Sequence, residues 1–512
     1  MAKKKNENTL QYLQMPLPEG RRHSKMTKVA FGGLNKRYTL DSGDLSFERN
    51  ISTSEYPYLT PSNQKTSILS GYSNPISMFA FDDFIIVVYR QNTAIKIDYI
   101  HKDNYVYLTG VLKADEATEE DEVPRSIVQF NVFEPCEIGT IVDGDFRKRL
   151  LIFPDKKSMF FEREDLVTDK NNTSNDSFTL YDMDNVDNAI ITPPIKYATV
   201  HLSRVFGVSD DCVFASGFND YTNWSLDTSD DEEGYNESNA WMSQTQSNTK
   251  ADGKFTGIIN YQGHIVCFKR DYMHEIYNTK NPFRIVDIYA EGTIDNRTIQ
   301  DVDGKLIFVS EDDVKIYTGS NPRIIGYNLN MSQYTYAVSG TDNRNYYLYC
   351  EDDKANKYLY VYDTFTDLWS EQSIDSKVIS FAHNKNGMYM LCADGHIYKM
   401  DTDTYSDNWS FETDLITNKT VDIKHIKKLQ MLVEIEDKED ANMQVYILYD
   451  DEKFDKEKSH LVYSSNKHGR FPVRVKPRNT ANYGFKLHFE GSGYTKLYEL
   501  EIFVESGGDL YV

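Results

Sequence analysis

The stretch FTGIINYQGHIVCFKRDYMHEIY, residues 255–277, decides the fold. Phe255-Thr256-Gly257-Ile258-Ile259 leads through Tyr261-Gln262-Gly263 into His264-Ile265-Val266-Cys267-Phe268. Lys269-Arg270-Asp271 then turns the chain into Tyr272-Met273-His274-Glu275-Ile276-Tyr277. Short apolar and aromatic runs separated by Gly- and Asp-bearing turns have the spacing of successive antiparallel hairpins.

The same theme recurs along the chain. One copy runs from Asn296-Arg297-Thr298-Ile299-Gln300 through Asp303-Gly304 to Leu306-Ile307-Phe308-Val309 and Val314-Lys315-Ile316-Tyr317. Another joins Val378-Ile379-Ser380-Phe381, Met388-Tyr389-Met390-Leu391-Cys392 and His396-Ile397-Tyr398. Weaker copies lie at 76–110, 123–163, 195–217 and 333–365, the last with Tyr346-Tyr347-Leu348-Tyr349-Cys350 and Tyr358-Leu359-Tyr360-Val361-Tyr362. Units of about 40 residues have the length of a four-stranded propeller blade. A single unit cannot bury both faces, so neighbours must stack, and radial closure protects the strand edges. The sequence predicts an all-β chain with a six- or seven-bladed β-propeller over 71–405; a large Greek-key assembly is the competing arrangement.

After the polar run 401–410 the pattern changes. Leu429-Gln430-Met431-Leu432-Val433, the alternating run 443–449, Phe471-Pro472-Val473, Tyr483-Gly484-Phe485-Lys486-Leu487 and the alternation through Leu500, Ile502 and Val504 predict a small C-terminal β-sandwich over 406–512. Residues 1–70 are expected to form an N-terminal arm and extended segment, with the basic patch Arg21, Arg22 and His23. Two acidic insertions interrupt the repeat: 114–122, with Asp115 and Glu116, and 225–252, around Asp230, Asp231, Glu232 and Glu233. Neither can bury enough apolar area for a core element, so both are expected to be surface loops and candidate partner contacts.

At 512 residues, stability needs neither metals nor disulfides. The excess of sheet-favouring aromatics, 37 Tyr and 27 Phe, agrees with the strand pattern. A net charge of −23 opposes binding of a phosphate backbone but is compatible with DNA passing nearby. Cys136, Cys212, Cys267, Cys350 and Cys392 are dispersed and form no CxxC, which speaks against a zinc site or disulfide framework and fits synthesis in a reducing cytosol. The Lys3-Lys4-Lys5 start leads into polar residues, and the strongest apolar run, Phe84-Ile85-Ile86-Val87-Val88-Tyr89, has strand length, so membrane insertion is not expected.

Sequence signatures of chemistry are sparse. No HExxH, Walker A, GxSxG or dinucleotide fingerprint occurs in the required context. His264 and His274 lie ten residues apart across a hairpin, a spacing open to a metal pair and equally to ordinary hydrogen-bonded histidines. Residues 227–233 offer carboxylates for calcium but lack the EF-hand order. No enzyme activity and no cofactor are expected.

Residues 31–61 carry a resemblance. Phe31-Gly32-Gly33-Leu34-Asn35, Leu40-Asp41-Ser42-Gly43-Asp44-Leu45 and Glu48-Arg49-Asn50-Ile51, ending in Tyr56-Pro57-Tyr58-Leu59-Thr60-Pro61, resemble the opening of propeller-containing virion proteins of tailed bacteriophages. Asp220-Tyr221-Thr222-Asn223-Trp224, Asp303-Gly304-Lys305-Leu306-Ile307-Phe308 and Phe489-Glu490-Gly491-Ser492-Gly493 continue the likeness in order. Ser62 stands where many relatives carry a basic residue. The resemblance implies a virion structural protein of the tail or neck, a nozzle, hub or DNA-stabilisation component used in DNA ejection. It also implies a homo-oligomeric ring, with the portal (connector) or other tail proteins as partners and double-stranded DNA passing without sequence-specific binding. The alternatives are a tail-tip propeller that binds a receptor or glycan, and a polysaccharide-degrading enzyme.

Overall fold

In a computed structural model, the described residues are 23–28, 31–37, 40, 44–92, 94–101, 106–113, 123–138, 141–153, 159–162, 181–185, 191–226, 238–243, 253–289, 291–331, 333–417, 423–438, 440–450, 452–478 and 482–506. They form an all-β, propeller-like array of short antiparallel sheets, followed by a two-sheet unit.

Seven four-stranded sheets follow one another along the chain, the first six each a meander whose strands pair in sequence order. Their first strands are Pro75–Phe81, Ser126–Ile138, Tyr197–His201, Phe255–Tyr261, Gln300–Val302, Tyr336–Thr341 and Val378–Asn384. The seventh sheet contains only three strands from its own segment; its fourth is Thr66–Leu69, which pairs antiparallel with Ile397–Lys399. A strand from before the first sheet therefore completes the last one.

The period of two along each central strand explains why the sheets associate. In Asn345–Glu351 of the sixth sheet, Tyr346, Leu348 and Cys350 pack with Val302, Ile307 and Ile316 of the fifth, while Tyr347 and Tyr349 pack with Phe381, Met388 and Met390 of the seventh. Side chains that alternate across a strand bury both faces only between two neighbours. Equivalent clusters join the first sheet to the second, the second to the third, the third to the fourth and the fourth to the fifth. A further cluster joins the seventh sheet back to the first, through Tyr389, Leu391 and Ile397 against Met78, Ile85 and Val87. At that junction the turn residue Gly395 has φ +80° and lies under the Tyr72 carbonyl, where a Cβ would collide with backbone.

The C-terminal unit has a four-stranded sheet and a five-stranded sheet that share one apolar cluster, including Phe411, Leu429, Val433, Val445, Ile447, Phe489, Leu500 and Ile502. Phe411 and Phe489 stack at 4.5 Å between ring centroids. Both sheets recruit N-terminal strands: His23–Lys28 pairs with Thr495–Ser506, and Leu45–Arg49 pairs with Trp409–Thr413. The segment assigned from sequence to an arm thus divides. Its first 22 residues lie outside the described residues, whereas 23–28 and 45–49 supply edges to the C-terminal sheets and 66–69 completes the seventh sheet. Partners several hundred residues away leave no local trace in sequence.

Residues 31–65 also strap the C-terminal unit to the sixth sheet. The Leu34 N–H donates to the Trp369 carbonyl at 2.8 Å, and Gly33 lies so close that a Cβ would stand 2.6 Å from that oxygen. Asn50 donates from its backbone to Glu371, accepts from the Ser373 N–H at 2.8 Å, and donates from its side chain to the Asn408 carbonyl at 2.6 Å. The Glu371 N–H donates to Glu48 Oε1 at 3.0 Å. Lys36 bonds Glu371 at 2.6 Å and the Tyr360 hydroxyl at 2.9 Å.

Two outcomes test this scaffold. Trp369 is 1% exposed and donates through Nε1 to the Ile325 carbonyl, so Trp369→Ala is expected to cost about 3–5 kcal/mol in urea unfolding; a loss under about 1 kcal/mol would contradict the packing described. Glu48 is buried, and burial raises its pKa; the Glu371 N–H opposes the shift, the Glu371 charge adds to it and Lys36 opposes it. A carboxyl with a raised folded-state pKa contributes its stability below the unfolded pKa and loses it as pH rises through the folded value. Glu48→Gln keeps the acceptor without the charge. It should therefore match the parent melting temperature near about pH 4 and exceed it at about pH 8, whereas a constant difference across pH would contradict the assignment.

Candidate binding site at the inner strands

The first strands of the sheets are tied across every junction by polar contacts. Ser126 Oγ donates to the Ala198 carbonyl, Asn260 Nδ2 to Val200, and the Ile258 N–H to Asn296 Oδ1, at 3.0–3.1 Å. Ser339 Oγ donates to the Arg297 carbonyl, the Tyr336 hydroxyl to Val378, and Ser380 Oγ to Met78, each at 3.0 Å. Between the first and second sheets the Ser77 hydroxyl approaches the Pro124 carbonyl at 3.5 Å, the longest of the set.

Where these strands begin, a cavity of about 500 Å³ opens. Ile76, Ser77 and Phe79 of the first sheet line it, with Arg125 before the second, Tyr197 of the third, Asp295–Arg297 before the fifth, and Gln300, Ser339, Ser380 and Phe381. Asp295 caps the short turn of 3-10 helix at Asn296–Thr298 by accepting from the Arg297 N–H at 2.9 Å. That cap places the Arg297 guanidinium in a two-pronged pair with Asp295, at 3.1 Å and 2.7 Å. Arg297 also reaches the Tyr336 hydroxyl at 3.3 Å, its guanidinium lies 5.2 Å from the centre of the Tyr336 ring, and the Lys377 amine lies 3.6 Å from that centre. Arg125 lies near enough to Tyr197 to oppose the rise of its phenol pKa. The result is a belt of guanidinium groups and phenols contributed by several sheets.

Burial works against the charge on Arg297, but the Asp295 hydrogen bond and charge outweigh it and hold its pKa above the ordinary range. Burial raises the Tyr197 and Tyr336 phenols; Asp295 adds to both shifts, while nearby arginines oppose them. These displacements all lead away from neutrality, so the groups concerned hold hydrogen bonds and do not exchange protons near pH 7. Among the described residues lining this cavity, Asp295 is the one carboxylate.

Two further cavities lie elsewhere in the structure. The turns that follow the first strands of the first, sixth and seventh sheets line a space of about 620 Å³ with Asp82, Asp83, Asn343 and His383–Lys385. There Lys148 pairs with Asp82 at 2.8 Å and Lys385 with Asp83 at 3.4 Å; both are exposed pairs of small energetic weight. A third cavity, about 390 Å³, lies between the strap, the seventh sheet and the C-terminal unit. It contains the Lys65 amine, lowered by burial to about 8, which hydrogen-bonds the Ser373 carbonyl.

The residues singled out from sequence fall elsewhere. Arg21, Arg22, Asp115, Glu116, Asp230, Asp231, Glu232 and Glu233 lie outside the described residues, as does the His23 side chain, although the His23 backbone pairs with Glu505. His264 lies 3.2 Å from Glu275, and His274 is buried opposite Cys267; no group of three metal-ligating side chains forms among the described residues. Cys212, Cys267, Cys350 and Cys392 are free and buried, and burial pushes the Cys392 thiol up to about 12. Among the described residues, no helix is long and apolar enough to cross a membrane.

The belt residues escaped the sequence reading although they share one place in the repeat. Arg125, Tyr197, Arg297, Tyr336 and Lys377 each stand at or just before the opening of a sheet's first strand or the short turn leading into it. Aligning the units on their first strands places all five between the first residue of the strand and the third residue before it.

No protein-family model and no curated protein sequence matches the chain. Among solved structures it is similar to a Trypanosoma rangeli sialidase, at 8% identity and TM-score 0.30, over 94% of this chain and 95% of that one. It is also similar to the WD40 domain of Toxoplasma gondii coronin, at 9% identity and TM-score 0.27, over 73% and 75% of the two chains. Apo AztD from Citrobacter koseri follows at 10% identity and TM-score 0.28, over 71% and 89%. Likenesses of this size carry no functional assignment.

Arg297 is 40% exposed at its side chain, so solvent screens its pair with Asp295. Arg297→Ala should accordingly lower stability by only about 1 kcal/mol, and Arg297→Lys should fail to restore it because an ammonium cannot make the two-pronged contact. Urea midpoints of the two variants test this; full recovery in the lysine variant would contradict a belt held by guanidinium geometry.

Proposed function

We propose that this chain is a non-enzymatic structural component of a bacteriophage tail or neck, and that its seven sheets are the blades of a closed propeller fused to a C-terminal β-sandwich. Several copies would form a ring around the DNA exit channel. The observation that carries this reading is the placement of the phrase by which the chain resembles tail proteins. Residues 31–61 form the strap between the C-terminal unit and the sixth sheet, where they make backbone contacts and bury Leu34, Glu48 and Asn50. The resemblance therefore lies in residues that join the two β units through main-chain contacts, which suits a subunit that transmits force within a ring.

Size supports the same reading. A cavity of about 500 Å³ walled by Phe79 and Phe381 does not hold a duplex, so on this reading the DNA channel would be enclosed by several copies. A net charge of −23 on each copy would repel the phosphate backbone and limit sticking during passage. The portal or adjoining tail proteins are the natural partners of such a ring. Native mass spectrometry and negative-stain imaging of the full chain, alone and with its connector, are expected to show one cyclic stoichiometry; a chain that stays monomeric under both conditions contradicts the ring.

A second reading, a tail-tip module that binds a receptor or glycan, is favoured by the belt cavity, whose volume falls within the range of small-ligand sites. A polysaccharide-degrading enzyme is less well supported there, because glycoside hydrolysis ordinarily uses two carboxylates and Asp295 is committed to Arg297.

A further inference from the structure

We infer that the basic side of the C-terminal unit docks on an acidic rim of the sheet array of a second copy of this chain, an inference that rests on the ring reading and supplies its contact. Residues 459–489 carry six Lys or Arg and no Asp or Glu, in a chain of net −23. The residues of the C-terminal unit outside the described ones add one base and four acids, so the stretch stays positive even with all of them counted against it, 6 + 1 − 4 = +3. Two free sheet edges lie within it: His460–Ser465 is the last strand of the five-stranded sheet, and Gly469–Val475 that of the four-stranded one. Along the second edge Arg470 and Arg474 are exposed while Phe471 and Val473 enter the core, and the exposed Lys467, Lys476 and Arg478 continue the basic run. None of these five cations makes an ion pair among the described residues; Arg470 lies 4.0 Å from the centre of the Tyr498 ring, and Arg474 stands opposite Gln430. Pro472 between them has no N–H to offer an added strand, so the edge resists pairing and presents charge. Protection of an edge needs charge of either sign, whereas a stretch of one sign selects an acidic partner.

Such a partner exists on the same chain. The first strands run from the belt cavity to the 620 Å³ space, so in each sheet the turn from second to third strand returns to the belt end. In the fourth to seventh sheets these turns are 270–272, 310–313, 352–356 and 393–396, and together they hold two bases and seven acids, 2 − 7 = −5. Arg270 pairs with Glu311, whereas the exposed Asp271, Asp312, Asp353 and Asp394, one from each sheet, make no ion pair among the described residues. From 253 to 400 only the uncharged Ala290 and Ser332 lie outside the described residues, so no further charge of these four sheets offsets the rim. Charges farther apart than about 8 Å are screened at physiological ionic strength, so the two local patches govern the encounter and not the net charge of each copy. Two different patches that fit each other on one chain make a heterologous contact, which repeats head to tail and closes into a ring. A basic side turned towards DNA would instead hold a duplex that the channel must release.

Sedimentation velocity of full-length chains tests the contact, with urea midpoints verifying that each variant is folded. Arg474→Glu/Lys476→Glu is expected to weaken self-association at least about tenfold, Asp312→Lys/Asp353→Lys to do the same, and a chain carrying all four changes to regain part of it. Should the glutamate variant fold poorly, Arg474→Gln/Lys476→Gln is expected to give a smaller loss in the same direction. Lys148→Glu/Lys385→Glu, an equal change in net charge at the other end of the first strands, should leave association unchanged, and added salt should weaken it in the parent chain. Association indifferent to the edge variants refutes this contact and leaves the ring standing, as does loss at the edge with no recovery in the fourfold variant, or an equal loss in the lysine control. If the edge variants abolish binding of duplex DNA while association persists, the basic side is a DNA surface and the contact is likewise refuted. A parent chain that stays monomeric, alone and with its connector, refutes the ring reading and this inference together.

Discussion

Every four-stranded sheet in the repeat is apolar on both faces, and the fold depends on each finding a neighbour on either side. Water cannot satisfy such a sheet, and one partner covers only half of it. Phe84, Ile86 and Val88 face the second sheet while Ile85 and Val87 face the seventh, so the first sheet is committed in both directions before any loop is considered. The polar ties among the first strands run through the same succession of junctions, which makes the array apolar between its sheets and hydrogen-bonded along its inner strands.

The N-terminal segment gives that array its boundaries. Thr66–Leu69 occupies the outer edge of the seventh sheet, and the strap lies along Leu368–Gln372 at the outer edge of the sixth. Open sheet edges invite unwanted pairing, and here two of them are covered by the same stretch of chain. Because that stretch also contributes Leu45–Arg49 to the C-terminal unit, the two β units are bound by main-chain contacts as well as by a tether.

What could be read from sequence follows from where burial is densest. The central strands, such as Val266-Cys267-Phe268 and Leu348-Tyr349-Cys350, are buried on both faces and stand out as apolar runs, so the copies read from sequence all fall on sheets. The fourth strands leave little mark in the sequence because three of them, Tyr181–Asp182, Trp241–Met242 and Arg323–Ile324, are two residues long, and the seventh is supplied from before the first sheet. A two-residue strand has no period to detect. The C-terminal alternation was legible, as in Lys424–Ile435, but its two N-terminal edge strands were not, because pairing over such separations is decided by tertiary packing. The belt leaves no local mark for a related reason: Arg125, Tyr197, Arg297 and Tyr336 belong to different sheets and meet only in the folded array.

Mutual cover of the sheets, with Thr66–Leu69 completing the seventh, is the claim on which the rest stands. Native-state amide hydrogen exchange on Ser67→Pro examines it directly, since proline removes a backbone donor where Ser67 pairs with Tyr398 and disfavours the strand. The account predicts that protection falls together in the seventh sheet, at Tyr389 and Leu391, and in the first, at Ile85 and Val87, because these residues share one cluster. Loss of protection confined to residues 66–69 and 397–399, with the first sheet unchanged, would contradict it.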